Sequence, residues 1–187
     1  MKRILAFSGS NSSQSINQKL IHLVSKMATD TIIDVIDLRD FELPLFGVDL
    51  EKAEGIHPAA QELRARMDAA DGFIISTPEY NSGVPSFLKN SIDWISRTGK
   101  AAFQSKPVAL LATSPGKGGA ARALQQLQTI LSGFMAGRVL GTVSVPQFQQ
   151  NTTLDSDGSI ASISDSLIEQ ELRSLVTLLE QEVVGDE

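Results

Sequence analysis

Five short strand-like runs alternate along the chain with amphipathic segments, and this alternation restricts the fold strongly. The runs occupy residues 3–8, 31–38, 72–77, 107–113 and 139–145. The first, third and fourth are almost continuously apolar, as is usual for strands that are covered by helices on both faces. A β-α pattern repeated five times predicts a three-layer, doubly wound α/β fold with a parallel sheet and right-handed crossovers.

Between these runs, apolar residues recur three and four positions apart, which is the spacing of one helix face. Ser166 and Glu169 have the spacing of a capping box at the start of the last helix. Residues 41–57 and 146–164 are expected to be the longer loops. The five helical stripes are Ile16, Leu20, Val24 and Met27; Ala59, Leu63 and Met67; Val84, Phe87, Leu88, Ile92 and Ile95; Leu124, Leu127, Leu131 and Phe134; and Ile168, Leu172, Leu175 and Leu179.

The length of 187 residues fits a single domain over residues 1–187. The pattern by itself does not give the strand order. Five strands suit the flavodoxin-like order 2-1-3-4-5, in which the ligand lies where the first and third strands end. Both of those ends are followed here by unusual loops.

The charge is unevenly distributed. The net charge is −6 and the pI is about 4.9, so there is no overall basic surface for a nucleic acid. No Asp or Glu occurs between Asp93 and Asp155, however. Two interpretations are open: a local positive field that attracts a small anion such as a nucleotide phosphate, or chance spacing of solvated side chains. The cations in this acid-free window are Arg97, Lys100, Lys106, Lys117, Arg122 and Arg138.

The chain has no cysteine, which excludes disulfides, thiolate metal sites, Fe–S clusters and thiol nucleophiles. Redox chemistry would therefore require a bound cofactor. With His22 and His57 as the two histidines, we expect no metal site. The apolar run after the N-terminus is too short for a signal peptide, and no window resembles a membrane span, so we expect a cytoplasmic protein without a membrane partner.

The first loop, residues 8–17, follows the first strand and contains five serines and two asparagines. Hydroxyls and free backbone N–H groups at a helix N-terminus complement a phosphate. The loop is not a Walker A motif, because Lys19 is followed by Leu20, and it does not match G-x-G-x-x-G. A plain loop with an N-cap is the alternative, but it would need only one or two of these polar residues.

The second loop, residues 78–85, follows the third strand and contains Tyr80, the single tyrosine of the chain. Tyr80 and the adjoining backbone suit an aromatic heterocycle, Asn81 offers a donor and an acceptor, and Gly83 permits close approach. For Glu79, an acid or base role stands against the commoner one of accepting backbone N–H groups. Pro85 suits the start of the following helix.

The third loop, residues 113–121, is rich in glycine. Gly116, Gly118 and Ala121 formally fit G-x-G-x-x-A, but the acidic residue that this dinucleotide motif requires about 20 positions later does not occur before Asp155. We therefore expect a turn whose backbone N–H groups approach the edge of a ring, with Lys117 adding positive charge.

Three other features have structural explanations. Trp94 falls near the buried stripe of its helix and is expected to pack in the core. Residues 155–158, Asp-Ser-Asp-Gly, resemble a calcium loop, but Ser166 stands where the bidentate Glu belongs, so a turn is expected. The G-x-S-x-G motif of serine hydrolases does not occur.

The three loops together resemble those of the NADPH-dependent FMN reductase family, a flavodoxin-like group that includes quinone, azo-dye and chromate reductases. The resemblance is based on Gly9-Ser10 with Ser15 and Asn17, on Pro-Glu-Tyr-Asn-x-Gly-x-Pro continuing into residues 88–94, and on Ser-Pro-Gly-x-Gly-Gly from residue 114. It covers nearly the whole chain. It implies a flavodoxin-like fold, tightly held FMN, NADPH or NADH as hydride donor, and a homodimer or homotetramer.

The resemblance also assigns cofactor-binding residues by position. Ser12 stands where many members have an arginine, so the phosphate affinity or the NADPH preference is expected to differ. The expected FMN contacts are Ser10, Ser12, Ser15, Ile16 and Asn17 at the phosphate, Pro78, Glu79, Tyr80 and Asn81 at the isoalloxazine ring, and Ser114 and Gly116 on its other side.

The resemblance implies a ping-pong reaction in which NAD(P)H reduces the flavin at N5 and a small-molecule acceptor then takes the electrons. The acceptors would be quinones, free flavin or azo compounds, and no catalytic side chain is expected because the chemistry takes place on the cofactor. The alternative is a non-enzymatic electron carrier or an FMN-binding regulatory module. The acid-free window favours the enzyme, since carriers of this fold are typically more acidic around the flavin.

Overall fold

The computed structural model describes residues 2–99 and 101–183 and contains one large sheet. The strands are β1 (Arg3–Ser8), β2 (Ile32–Val35), β3 (Gly72–Thr77), β4 (Pro107–Thr113), β5 (Arg138–Val145), β6 (Thr152–Leu154) and β7 (Ile160–Ile163). The helices are α1 (Ile16–Ser25), α2 (Val48–Glu54), α3 (Pro58–Asp68), α4 (Ser86–Arg97), α5 (Ala121–Ser132), α6 (Phe148–Asn151) and α7 (Ser166–Glu182).

The first five strands are parallel and lie in the order β2-β1-β3-β4-β5. Alternate residues of each strand point to opposite faces of the sheet. Leu5 and Phe7 belong to a core cluster with α3, α4 and α5, whereas Ile4 and Ala6 belong to a second cluster with α1 and α7. The predicted three-layer flavodoxin-like fold and its strand order are confirmed.

Two local predictions about helices are wrong. Phe134 is 73% exposed because α5 ends at Ser132 and Gly133 follows it. The cap of α7 is Asp165 rather than Ser166, since the Asp165 carboxylate accepts hydrogen bonds from the N–H groups of Leu167 and Ile168. A carboxylate at the N-cap also interacts favourably with the helix dipole.

The two segments that were expected to be loops contain regular structure. Residues 41–57 include α2, and residues 146–164 include α6 and the antiparallel pair β6 and β7. The predicted turn joins that pair: Asp155 donates its N–H to the Ser159 carbonyl, and Gly158 donates to the Asp155 carbonyl.

Trp94 packs in the core as predicted. Its side chain is 1% exposed, and its indole N–H donates to the Pro44 carbonyl at 2.7 Å. The segment around Pro44, which follows β2, is therefore fixed to α4. His57 is the N-cap of α3 and accepts the Ala59 N–H through Nδ1, which accounts for it without a metal.

The sheet brings the three polar loops to one edge. Ser8 pairs with Ser76, and Thr77 pairs with Ala112, so β1, β3 and β4 end side by side. The loops that follow these strands leave the sheet together, at the point where the strand order reverses. Over residues 2–99 and 101–183, no helix combines the length and the apolar character needed to cross a membrane.

Candidate functional site

A cleft of about 280 Å³ opens at the carboxyl ends of β1, β3 and β4. This volume is close to the lower end of the range of small-molecule sites, about 300–1,000 Å³. The lining residues are Ser10, Ser12, Gln14, Ser15, Ile16, Asn17, Pro78, Glu79, Tyr80, Thr113, Ser114 and Pro115.

Nine of the eleven residues assigned to the cofactor line this cleft, while Asn81 and Gly116 lie in the same loops but not in its lining. Gln14, Thr113 and Pro115 also line it and were not assigned. The sequence signal that could have identified them is their position in the first and third loops, because each is a sequence neighbour of an assigned residue.

Serine hydroxyls shape the first loop. Three of them in succession accept the backbone N–H two residues later: Ser8 from Ser10 at 3.3 Å, Ser10 from Ser12 at 3.2 Å, and Ser12 from Gln14 at 3.2 Å. A hydroxyl that accepts through its oxygen still has its own proton to donate. The loop therefore presents hydroxyl donors, which is the chemistry that a phosphate requires.

The N-terminus of α1 adds backbone donors to the same place. Ser15 is its N-cap and accepts the Gln18 N–H at 3.1 Å. The N–H groups of Ile16 and Asn17, in the first turn, have no acceptor within the described part of the chain. With the helix dipole behind them, these N–H groups suit an anion.

The side chain of Asn17 joins three elements and is 1% exposed. Its Nδ2 donates to the Thr113 carbonyl at 3.1 Å, and its Oδ1 accepts the Ser76 hydroxyl at 2.7 Å and the Thr113 N–H at 3.1 Å. Asn17 therefore connects α1 to β3 and β4, and its backbone N–H remains free to meet a ligand.

Gly9 lets the first loop lie directly against α4. Its N–H donates to the Ser76 carbonyl at 2.8 Å. A Cβ at this position would lie 2.8 Å from the Cβ of Leu88 and 2.9 Å from its Cγ, closer than carbon atoms approach. The glycine is needed for this packing.

A tight turn holds Tyr80 at the mouth of the cleft. Tyr80 and Gly83 exchange both backbone hydrogen bonds at 3.1 Å. Between them, Asn81 and Ser82 have φ values of 51° and 64°, as in a type I′ turn. The Tyr80 side chain is 49% exposed and is available to a flat ligand.

The Glu79 carboxylate caps another helix. Its Oε2 accepts the N–H groups of Arg122 and Ala123 at 3.1 and 3.2 Å, in the first turn of α5. These contacts support the commoner role considered for Glu79, that of accepting backbone N–H groups. Its carboxylate connects the second loop to the end of the third.

The third loop is held by the chain after β5. The Gly116 carbonyl accepts the Gln147 N–H at 2.9 Å, and the Ser114 carbonyl accepts the Phe148 N–H at 3.0 Å. The Ser114 hydroxyl donates to the Gly116 carbonyl at 3.3 Å. These contacts fix the wall of the cleft that faces the second loop.

The end of the cleft that the first loop lines is uncharged. Of the residues that the structure describes, those lining the cleft include no Lys or Arg. Two cations of the acid-free window lie in or beside the third loop: Lys117, and Arg122, whose Nη1 donates to the Ser82 hydroxyl at 3.0 Å. Lys100 lies outside the described residues.

Two substitutions at Ser15 would separate its capping role from the phosphate contact that the resemblance implies. Ser15→Ala is expected to cost about 1 kcal/mol of stability through the lost cap. Ser15→Asp retains a capping oxygen and hence the stability, but its negative charge should weaken FMN binding by roughly tenfold or more. Thermal melts and FMN titrations of both variants measure the two effects. Unchanged FMN affinity in Ser15→Asp would place the phosphate elsewhere.

Comparison with known proteins identifies the family of the chain. A model of the NADPH-dependent FMN reductase family matches residues 2–150. A NAD(P)H-dependent FMN reductase of Pseudomonas aeruginosa is 33% identical over 178 residues, covering 92% of each chain. A 2-hydroxy-1,4-benzoquinone reductase of a Burkholderia species is 32% identical over 165 residues, covering 86% of each.

A solved structure is similar over the whole length. FerB, a flavoenzyme NAD(P)H:(acceptor) oxidoreductase from Paracoccus denitrificans, superimposes with a TM-score of 0.76 at 27% identity, covering 98% of this chain and 97% of that one. Together with the match over residues 2–150, these findings show that the chain belongs to the NADPH-dependent FMN reductase family.

Proposed function

We propose that this chain binds FMN in the cleft and passes hydride from NAD(P)H through it to small-molecule acceptors, namely quinones, free flavin or azo compounds. One observation carries the proposal: donors suited to a phosphate lie in the same cleft as the half-exposed ring of Tyr80. FMN has a phosphate at one end and a flat heterocycle at the other, so one molecule would use both.

The FMN phosphate would be held by the first loop and the start of α1. The hydroxyls of Ser10 and Ser12 and the backbone N–H groups of Ile16 and Asn17 are the donors in reach, and Ser15 orients that turn. Ser12 is uncharged here, so neutral hydroxyl and amide groups would bind the phosphate.

The isoalloxazine ring would lie between the second and third loops. Pro78, Glu79, Tyr80 and Asn81 would contact it on one side, through backbone atoms for Glu79, since that carboxylate is bonded to α5. Ser114 and Gly116 would lie on the other side. Both loops are anchored by hydrogen bonds, so the ring would meet a preformed surface.

FMN, when bound, supplies hydride transfer at N5, so the protein need not provide an acid or a base. The residues of this chain would orient the ring, exclude water from one of its faces and place N–H donors near the charge that develops on reduction. Lys117 adds positive charge at the third loop. A cleft that remains open at Tyr80 would admit acceptors of varied shape.

The proposal is tested by FMN binding and reduction. The purified chain is expected to take up FMN and, in stopped-flow mixing with NADPH or NADH, to lose the visible bands of the bound flavin within seconds. Bands that stay unchanged with both nucleotides would support the electron-carrier alternative instead. A failure to take up FMN in calorimetry would contradict both.

We also propose that the chain forms a homodimer or homotetramer. The support is the apolar surface of the segment fixed to α4, where Leu45 is 81% and Val48 is 55% exposed. Exposed apolar groups of this kind mark interaction surfaces. Light scattering on the purified protein measures the state, and a monomeric mass would contradict the proposal.

A further inference from the structure

The second loop is attached to the first two turns of α5 by the side chains of Gln126, Arg122 and Glu79, of which only Glu79 also lines the cleft. Gln126 accepts the Val84 N–H through Oε1 at 2.7 Å, and Arg122 donates to the Ser82 hydroxyl at 3.0 Å. The Glu79 carboxylate completes the attachment through the N–H groups of Arg122 and Ala123. Both ends of the Tyr80 turn are therefore bonded to one helix.

The bond to Gln126 is short, although Gln126 is exposed at the surface. Val84 has no second backbone acceptor within the described residues, and a Cβ built on Gly83 would lie 3.1 Å from the same Oε1. The Gln126 amide therefore lies directly against the turn and accepts its N–H. A side chain of the same length without the oxygen would leave the Val84 N–H without this protein acceptor.

The turn needs such support because of its backbone conformation. Asn81 and Ser82 both have left-handed φ values, which asparagine tolerates but which are unfavourable for serine. Conformations of this kind persist where the surroundings fix them. The paired backbone hydrogen bonds of Tyr80 and Gly83 and the attachments to α5 fix this one, and α5 starts where the third loop ends, so the two walls of the cleft are joined.

We propose that Gln126 is a positioning residue that sets the distance between the Tyr80 turn and the opposite wall of the cleft. The inference rests on the proposed function, since the ligand between the walls is the FMN ring. Gln126 touches no ligand and acts through Val84. Its loss would let the turn move outward, with Tyr80 leaving the ring.

The test compares variants of equal side-chain length. Gln126→Met removes the acceptor, Gln126→Glu keeps an oxygen there, and Gln128→Met is the matched control on an exposed position of the same helix. FMN affinity is measured by titration, and the fluorescence of bound FMN is measured at saturation. Amide exchange of Val84 is measured in the protein without FMN.

Gln126→Met is expected to weaken FMN binding roughly three- to tenfold, to accelerate Val84 exchange, and to raise the fluorescence of bound flavin as Tyr80 ceases to quench it. Gln126→Glu and Gln128→Met should behave as the unmodified chain. A Gln126→Met chain with lower thermal stability but unaltered FMN affinity and flavin fluorescence would overturn the inference. If the unmodified chain itself takes up no FMN, the proposed function fails instead.

Discussion

Replacing Asn17 with alanine is expected to lower the free energy of unfolding by about 3–4 kcal/mol, since it leaves buried groups of Ser76 and Thr113 without their partner. For a chain of this length the melting temperature should fall by about 8–14 °C. The loss is expected without FMN, because the three hydrogen bonds of the Asn17 side chain are internal. Denaturant titration of the FMN-free protein measures it.

Two comparisons make this result specific. Asn11→Ala, on an exposed position of the same loop, should leave stability nearly unchanged. Asn17→Asp keeps an acceptor for Ser76 but places a carboxylate against the Thr113 carbonyl, so it should also destabilise the protein. If Asn17→Ala melted like the unmodified chain and lost FMN affinity alone, its side chain would be a ligand contact rather than a connection between α1, β3 and β4.

Gly9→Ala is expected to cost about 2–3 kcal/mol, or about 5–10 °C in melting temperature, through overpacking. The new methyl group would meet the Cβ of Leu88, which belongs to the body of α4, so the first loop or the helix must shift. Either shift also displaces the donors of the first loop, so FMN affinity should fall as well.

The control for Gly9 is Gly118→Ala, in the third loop, where a Cβ would meet no atom within 4 Å and φ is not positive. It should change stability little. Adding Leu88→Ala to Gly9→Ala should relieve the overlap, so that the double variant is more stable than the sum of the single effects predicts. Strict additivity would show that Leu88 is not the obstacle.

Much of the fold could be predicted because its signals are local. Four of the five sheet strands were placed within one residue of their observed ends. For β1, β3 and β4 the signal is a continuous apolar run, as expected of parallel strands that are buried on both faces. The region around β2 was predicted as residues 31–38 but forms a strand only over Ile32–Val35. Ile36 and Leu38 are buried after the strand has ended, so the apolar pattern continues past the paired residues.

Errors arose where two local signals compete. Ser166 and Glu169 have capping-box spacing, yet Asp165, one position earlier, forms the cap. Phe134 continues an apolar period, but Gly133 ends the helix before it. In both cases the residue at which the backbone enters or leaves the helix, and not the spacing of the side chains, determines the outcome.

The candidate site could be predicted as three loops, but not in the roles of its side chains. Nine of the eleven residues that the resemblance assigned to the cofactor line the cleft. The inward orientation of the Asn17 amide depends on Thr113, 96 positions away, and the contact of Glu79 with α5 depends on Arg122, 43 positions away. A local sequence pattern contains neither partner.

The inward position of Asn17 has a consequence for how this protein can change. In the proposed complex the cofactor's phosphate would bind at the start of α1, which the Asn17 side chain connects to β3 and β4, whereas the Tyr80 turn lies at the surface. Substitutions at residue 80 are therefore expected to spare the fold, because the Tyr80 side chain lies half exposed at the mouth of the cleft, whereas substitutions at residue 17 are not. A directed-evolution library confined to residue 80 would explore reactivity toward new oxidants without disturbing the hydrogen bonds of Asn17.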